Sequence, residues 1–195
     1  MASETFILGG YQTDFARNWM RQGQQIPDIL TEIVEGALEE TGVPAHEIET
    51  GHVGNFAAEL YAMQGHLGAF LVQTHPAFRG LPTSRHEAAC ASGSMAILAA
   101  SAEIEAGRYD VALVAGIEHM KTVDAAAGGE FLGTAAWYEK EAKGVAFPFP
   151  ALFGKLGDEY EQRYGLSADH LTRISDINFE NARRNPLAQT RAWPA

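Results

Sequence analysis

The chain has 195 residues, of which 46% are hydrophobic and 20% charged, the balance of a globular protein with one core or slightly more. Its 14 Lys and Arg against 25 Asp and Glu leave a formal charge of −11, which argues against nucleic acid or an anionic membrane as the main partner and leaves any phosphate site to local cations or backbone N–H groups. A single cysteine excludes an internal disulfide and suits a reducing compartment.

The opening stretch, MASETFILGGYQTDFAR, has no basic n-region and no apolar run of signal-peptide length. No window approaches the roughly 18 apolar residues of a membrane span. A soluble, cytoplasmic chain is therefore expected. Within that stretch, TFILGGYQT reads as a short apolar strand broken at Gly9 and Gly10. PDILTEIVEGALEETGV reads as an amphipathic helix, with Pro27 in its first turn, Ile29, Ile33, Val34, Ala37 and Leu38 on one face, and Gly42 as its stop. HVGNF is a short strand. AAELYAMQGHLGAFLVQTH reads as a helix with possible breaks at Gly65 and Gly68. SRHEAAC reads as a strand, ASGSMAILAASAEIEAG as a helix ended by Gly107, and DVALVAGIEHM as a buried strand over 111–115 followed by a glycine.

This alternation of strand and helix predicts a layered α/β sheet. The helix after Cys90 is apolar almost all round, through Met95, Ile97, Leu98, Ala99, Ala100, Ala102 and Ile104, so it is expected between layers. Periodicity weakens near residue 121, in a stretch dense in Gly and aromatics, and a domain boundary is placed there. LGDEYEQRYG and SADHLTRISDINFENARRNP follow as two more helices, the second with an imperfect cap at Ser167 and a stop at Pro186.

Cys90 carries the chemical interest. A helix N-terminus offers unpaired N–H groups and a positive dipole end, which favour a thiolate and the oxyanion formed when its sulfur attacks a carbonyl. Gly93 allows close approach to the backbone. On the residues alone, Cys90 reads equally as a nucleophile or as a small buried hydrophobe. No histidine is placed by spacing to serve as its base. His86, four residues upstream in an extended segment, lies roughly 13 Å along the strand; it reads, with His52, His66 and His75, as structural or exposed. His119 stands out because it follows the strand end VAGIEHM, where α/β sheets place ligands.

EAACASGSMAI, followed by DVALVAGIEHM, closely resembles the nucleophile region of the thiolase superfamily. FILGGYQTDFAR resembles its first strand and GHVGNFAAEL its second. FGKLGDEYEQRYGLSADHLTRISDINFENARRNPLAQ resembles the loop domain of sterol-carrier-type thiolases and their relatives. The resemblance implies a thiolase-like layered αβαβα fold, of which residues 1–121 are the N-terminal half-domain and 122–195 the loop domain, in part or whole. It implies Cys90 as the acyl-accepting nucleophile. It also implies that the loop domain covers the pantetheine arm of coenzyme A, with Phe153 lining that tunnel; His119, after its strand end, and Phe149, beside Phe153, join it as candidates for substrate or coenzyme A binding. The residues alone read Phe147, Phe149 and Phe153 as core of the second domain, and Arg183-Arg184 as a solvated helix end rather than a contact to the phosphates of coenzyme A.

The family's second half carries a His in a Gly-His-Pro-like motif, an Asn-containing motif and often a second Cys. None appears here; His75-Pro76 in QTHPAF precedes the nucleophile. The resemblance thus implies acyl transfer on coenzyme A thioesters, with 3-oxoacyl-CoA cleavage or condensation as the reaction and the acid–base half supplied elsewhere. Two alternatives stand beside it: a retro-aldolase acting on a 3-hydroxyacyl-CoA, and a non-catalytic binding or scaffold subunit. Coenzyme A enters as substrate or product, with no permanently bound cofactor and no metal. The expected partners are a second copy or a chain bearing the C-terminal half, and a small acyl-CoA-associated protein.

Overall fold

The structure, a computed structural model, describes residues 4–194. Residues 1–3 of the N-terminal stretch discussed above, and the terminal Ala195, lie outside the described residues. The chain divides into two compact units: residues up to Thr13 together with Trp19–Thr122, and Asp14–Asn18 together with Val123–Ala195.

The first unit is built on a parallel sheet of three strands in the order β2-β1-β3, where β1 is Thr50–Gly54, β2 is Thr83–His86 and β3 is Ala112–Gly116. Gly54 of β1 stands level with His86 of β2 and Gly116 of β3. The central strand is buried along its whole length, as a parallel strand covered on both faces must be. Helices α1 (Ile26–Thr41) and α3 (Gly68–Thr74) pack on one face, where Leu30, Val34, Leu67, Leu71 and Phe78 close on Val53, Leu113 and Ala115. Helix α4 (Ser92–Glu105) covers the other face. Helix α1 keeps its expected ends: Pro27 sits in the first turn, and Gly42, at φ 67°, returns its N–H to Leu38 O at 2.9 Å. The result is a mixed α/β fold with a layer of helix on each side of the sheet.

The α4 layer rests on one close approach. A Cβ built on Gly54 would lie 2.6 Å from Gly93 Cα, so only glycine at 54 lets the helix sit this low on the strand. Ser92, Ala96 and Ala100 continue the contact as small buried residues. The outer side of α4 is open: Met95, Ile97 and Leu98 are all exposed. The helix expected between layers thus has one covered side and one bare apolar side.

Three sequence expectations need correction. The apolar segment Thr5–Tyr11 forms no strand; Phe6, Ile7 and Leu8 are exposed, and the segment pairs with none of the three strands. It borders instead a cavity of about 400 Å³ that runs along the free edge of β3, with Ile33 and Ala37 of α1 on one side and Ile97 and Ile104 of α4 on the other. A strand needs a hydrogen-bonded neighbour about 4.8 Å away, and the cavity is lined by this segment on one side and by the free edge of β3 on another. The helix expected over 57–75 with breaks at Gly65 and Gly68 is two short helices, α2 (Ala58–Ala62) and α3; the break spans Gly65, but it opens already at Met63 and helix resumes at Gly68, because Met63 and His66 take left-handed backbone angles of φ 53° and 56°. Strand β2 ends at His86, four residues before Cys90.

The second unit holds α5 (Ala125–Gly133), α6 (Pro148–Tyr164) and α7 (Ala168–Arg184). The stretch expected to lack periodic structure forms α5, capped by Asp124 on the Ala127 N–H at 2.9 Å, and α6 starts earlier than expected, at Pro148. Phe147 and Phe153 are half or more exposed, not core; Phe147 sits at φ 49° with its ring edge against Gly129. The N-terminal piece of this unit is tied in by Asp14, whose carboxylate takes both guanidinium N–H groups of Arg191 at 2.8 and 2.9 Å.

Gly54→Ala is expected to destabilise the chain by about 1–3 kcal/mol, the usual penalty of forcing a methyl into a packed contact. Gly93→Ala, whose Cβ would meet nothing within 4 Å, is expected to be neutral or to stabilise by up to roughly 1 kcal/mol through helix propensity. Urea unfolding of the two variants measures the contrast, and equal losses would show that the Gly54–Gly93 approach is not the constraint.

Candidate functional site

Cys90 lies in a one-turn 3-10 helix, Ala89–Ala91, that runs directly into α4. It is a free, exposed thiol, so it is not sealed in packing; the cavity beside β3 does not include it. The turn around it is fixed from both sides. Ser92 Oγ accepts from the Ala88 N–H at 3.0 Å and donates to Ala89 O at 2.7 Å. The Glu87 carboxylate takes the Ala89 N–H at 2.5 Å. Ala89 itself adopts φ 48°, a left-handed conformation that strains a residue with a Cβ by about 1–3 kcal/mol. The strained residue immediately precedes the thiol.

The same end of the sheet gathers further groups. Strands β1 and β3 run out into Asn55 and into Ile117, Glu118 and His119. Asn55, buried, donates to Ile117 O at 2.8 Å and to Glu118 Oε1 at 3.1 Å, and its Oδ1 accepts the Ala58 N–H at 3.2 Å. Glu118 in turn accepts the N–H groups of Phe56 at 2.8 Å and Ala57 at 3.3 Å. Burial pushes its carboxyl above the ordinary carboxylate range, while these donors and Arg85 pull it back down. Arg85 bonds Phe56 O at 2.9 Å and pairs with Glu59. Sequence reading missed both Asn55 and Glu118; the available signal was a polar residue within two positions of the end of each strand.

His119 is buried, and its Nε2 has no hydrogen-bond partner. Burial lowers its pKa, which favours the neutral ring. Phe149 and Phe153 both lie on α6 of the second unit, stacked edge to face with centroids 5.0 Å apart. The structure therefore brings Cys90 and His119 into one unit and the two phenylalanines into the other. Arg183 and Arg184 are exposed at the end of α7. His75 is structural: its Nδ1 accepts the Ala77 N–H at 3.1 Å. Among the described residues no group of three or more His, Cys, Asp or Glu is arranged to hold a metal ion, and no helix is long and apolar enough to cross a membrane.

A thiol at the head of a helix, at the carboxyl end of parallel strands, is the arrangement expected of a nucleophile in an α/β fold. Residues 5–190 match the thiolase N-terminal domain family, and the chain belongs to that family. It is similar to acetyl-CoA acetyltransferase of Methanothermobacter thermautotrophicus (34% identical, 94% of this chain and 46% of that protein) and of Methanocaldococcus jannaschii (36% identical, 94% and 45%). It is also similar to sterol carrier protein 2 of Rattus norvegicus, at 26% identity over 94% of this chain and 34% of that protein. The chain thus spans less than half the length of these relatives.

Asn55→Asp sets a second carboxylate against Glu118 and removes the donor to Ile117 O. It is expected to lose about 2–4 kcal/mol of stability near neutral pH, part of which returns toward about pH 5 as one of the two facing carboxyls takes up a proton. Asn55→Ala should show the loss without this recovery. Denaturant titrations at the two pH values check the pair, and parallel behaviour of both variants would remove Glu118 as the facing charge.

Proposed function

We propose that the chain is the nucleophile-bearing part of an acyltransferase acting on coenzyme A thioesters, with Cys90 as the acyl acceptor. The observation that carries this reading is the exposed thiol at the head of α4, held in a strained turn at the carboxyl end of the sheet. In the proposed step Cys90 Sγ attacks the carbonyl carbon of an acyl-CoA. The carbon–sulfur bond to coenzyme A breaks, coenzyme A leaves as its thiol, and the acyl group remains as a thioester on Cys90. The Cys90 backbone N–H helps to hold the oxyanion. For a 3-oxoacyl-CoA the same attack at the 3-oxo carbon breaks the carbon–carbon bond and releases a shorter acyl-CoA; condensation is the reverse. His119, with its buried unpaired Nε2 in the same unit, is assigned to contact the substrate. Residues 122–195 are read as the loop domain, with Phe149 and Phe153 of α6 lining the path of the pantetheine arm.

The acid–base groups are assigned to a second polypeptide or to the remaining half of a longer one, in an oligomer with this chain. The bare side of α4, the free edge of β3 beside its cavity and the unpaired edge of β2 are surfaces such a half would cover, since an extended apolar surface of this kind marks an interface. The similarity to sterol carrier protein 2 keeps the non-catalytic reading as the alternative. A retro-aldolase on a 3-hydroxyacyl-CoA, a small acyl-CoA-associated partner and a cytoplasmic location remain proposals on the sequence alone.

Incubation with acetyl-CoA or acetoacetyl-CoA followed by intact-mass analysis should show one acyl group per chain, absent from Cys90→Ser. Turnover that survives Cys90→Ser would point to the aldolase. Neither adduct nor turnover, with the partner chain present, would point to the binding subunit.

The chain alone is expected to show no measurable thiolase turnover, because general acid–base help is worth about 10²–10⁴-fold and acts as a unit with the nucleophile. Addition of a partner carrying a His in a Gly-rich loop should restore activity and raise the melting temperature together. Full activity in the isolated chain would place the acid–base group within these residues.

A further inference from the structure

Beneath α4 the sheet carries a chain of polar side chains that the proposed acyl transfer does not use. His52, at the middle of β1, is only 2% exposed. Its Nε2 lies 3.2 Å from Glu103 Oε2 on α4, and Thr50 donates to the same carboxylate oxygen at 3.2 Å. Its Nδ1 lies 2.9 Å from His86 Nε2 on β2, and the two rings stack with centroids 5.1 Å apart. Ser84 Oγ sits 2.8 Å from His86 Nε2 and 3.3 Å from His52 Nδ1. Three elements, β1, β2 and α4, are thus joined through five side chains.

The partners fix the protons. Glu103 accepts, so His52 carries its hydrogen on Nε2 and offers a lone pair at Nδ1; His86 therefore donates from Nε2. Two ring nitrogens facing each other at 2.9 Å can share one hydrogen and no more. A proton added to His52 must go to Nδ1, where it meets the His86 N–H head on. The contact then breaks.

We propose that Glu103, His52, His86 and Ser84 form an acid-released clamp that fastens edge strand β2, and with it the turn carrying Cys90, to β1 and α4. The charged neighbours are few. Glu103 faces His52 from α4 and His86 faces it from β2; its register partner on β3 is Val114, and Arg85 points to the opposite face, toward Glu59 and Phe56 O. Burial holds His52 below the ordinary imidazole range; Glu103 pulls it up and His86 pushes it down. An unfolded chain protonates His52 near pH 6.5, while the folded cluster resists that proton. The clamp's contribution is therefore fully present above that range and is lost as the pH falls through it.

Two backbone bonds report the clamp directly: Gly51 N–H to Pro82 O at 2.9 Å and Asn55 N–H to His86 O at 3.1 Å, both joining β1 to β2. Two others join β1 to β3 at its ends: Glu49 N–H to Val111 O at 3.0 Å and Ile117 N–H to Gly54 O at 3.1 Å. Hydrogen exchange of the purified chain, corrected for intrinsic rates, is measured at about pH 7.5 and about pH 5.5, either side of the imidazole range. Protection of the Gly51 and Asn55 amides should fall roughly tenfold or more at the lower pH, while the Glu49 and Ile117 amides keep theirs. His86→Gln, half-buried and able to turn its amide so that Oε1 accepts from a protonated His52, should abolish the difference; His52→Gln should do the same where it folds. His119→Gln, which removes the other buried imidazole, should leave it in place. Equal loss at all four amides, no loss at any, or an unchanged pH response in His86→Gln would overturn the proposal.

Discussion

The approach of Gly93 to Gly54 sets the height of α4 above the sheet, and the rest of the first unit is arranged around that height. A helix this close can bury only small residues against the strands, which is why Ser92, Ala96 and Ala100 form its inner side. The bulky residues Met95, Ile97 and Leu98 are displaced to the outer side. The same contact anchors the first turn of the helix over the carboxyl end of β1, and so fixes where the preceding turn presents Cys90. The left-handed backbone at Ala89 follows from this geometry. The chain must leave β2 at His86 and enter a helix pinned by Gly93 within a few residues, and a strained turn is the short route between them. Strain of this kind persists only where the surroundings over-determine it, and here Ser92 and Glu87 both hold it.

The two faces of the sheet are chemically unlike. The face under α1 and α3 is apolar and closes in the usual way, through Leu30, Val34, Leu71 and Phe78. The face under α4 is polar at its centre, where His52 and Thr50 meet Glu103, and where a dry core would have been simpler to build. Partnered polar groups in such a layer add directionality that apolar packing lacks, because each hydrogen bond has one acceptable geometry. Asn55 and Glu118 play the same part at the carboxyl end. They tie the exits of β1 and β3 together through side chain and backbone, and the carboxylate accepts the penalty of burial in return for three donors.

Much of this was legible in the chain. Helix α1 with its Pro27 and Gly42 ends, the strand at 111–115 and the helix behind Cys90 all follow from local pattern, and the motif around Cys90 carries the resemblance to the family. What escaped reading was non-local. The apolar run Phe6–Leu8 has the composition of a strand, but a strand needs a neighbour in register, and no property of those residues supplies one. The break expected at Gly65 and Gly68 in the helix over 57–75 does fall there, but its left-handed residues are Met63 and His66, which side-chain pattern does not single out. Taken singly, His52 and His86 read as structural or exposed. Their importance lies in a 2.9 Å contact between residues 34 positions apart, which only the parallel pairing of β1 with β2 creates. Asn55 and Glu118 were passed over for the same reason: each is unremarkable until the strand ends bring them together. The exposed state of Phe153 is the converse case, since aromatic content suggested a core that α6 does not build.

Each unit ends with apolar surface that its own residues do not cover. In the first, it is the outer side of α4 with Met95 and Leu98. In the second, Phe153, Leu156, Tyr160 and Tyr164 share a stripe of α6, and Leu171, Ile174 and Ile177 lie along α7, all exposed. Such stripes at helical spacing belong to helices that pack against something. A helix with a merely solvated role would carry charge there, as both α6 and α7 do on their remaining faces. The amphipathic pattern is therefore a statement about what must be covered, made separately by two units of the same chain. Burial of a few large side chains on each would contribute about 1.5–3 kcal/mol apiece, comparable to the whole stability of a small domain. A chain so patterned gains order and its remaining surfaces together when they are covered. In the proposed enzyme, that links completion of the acid–base site to completion of the fold.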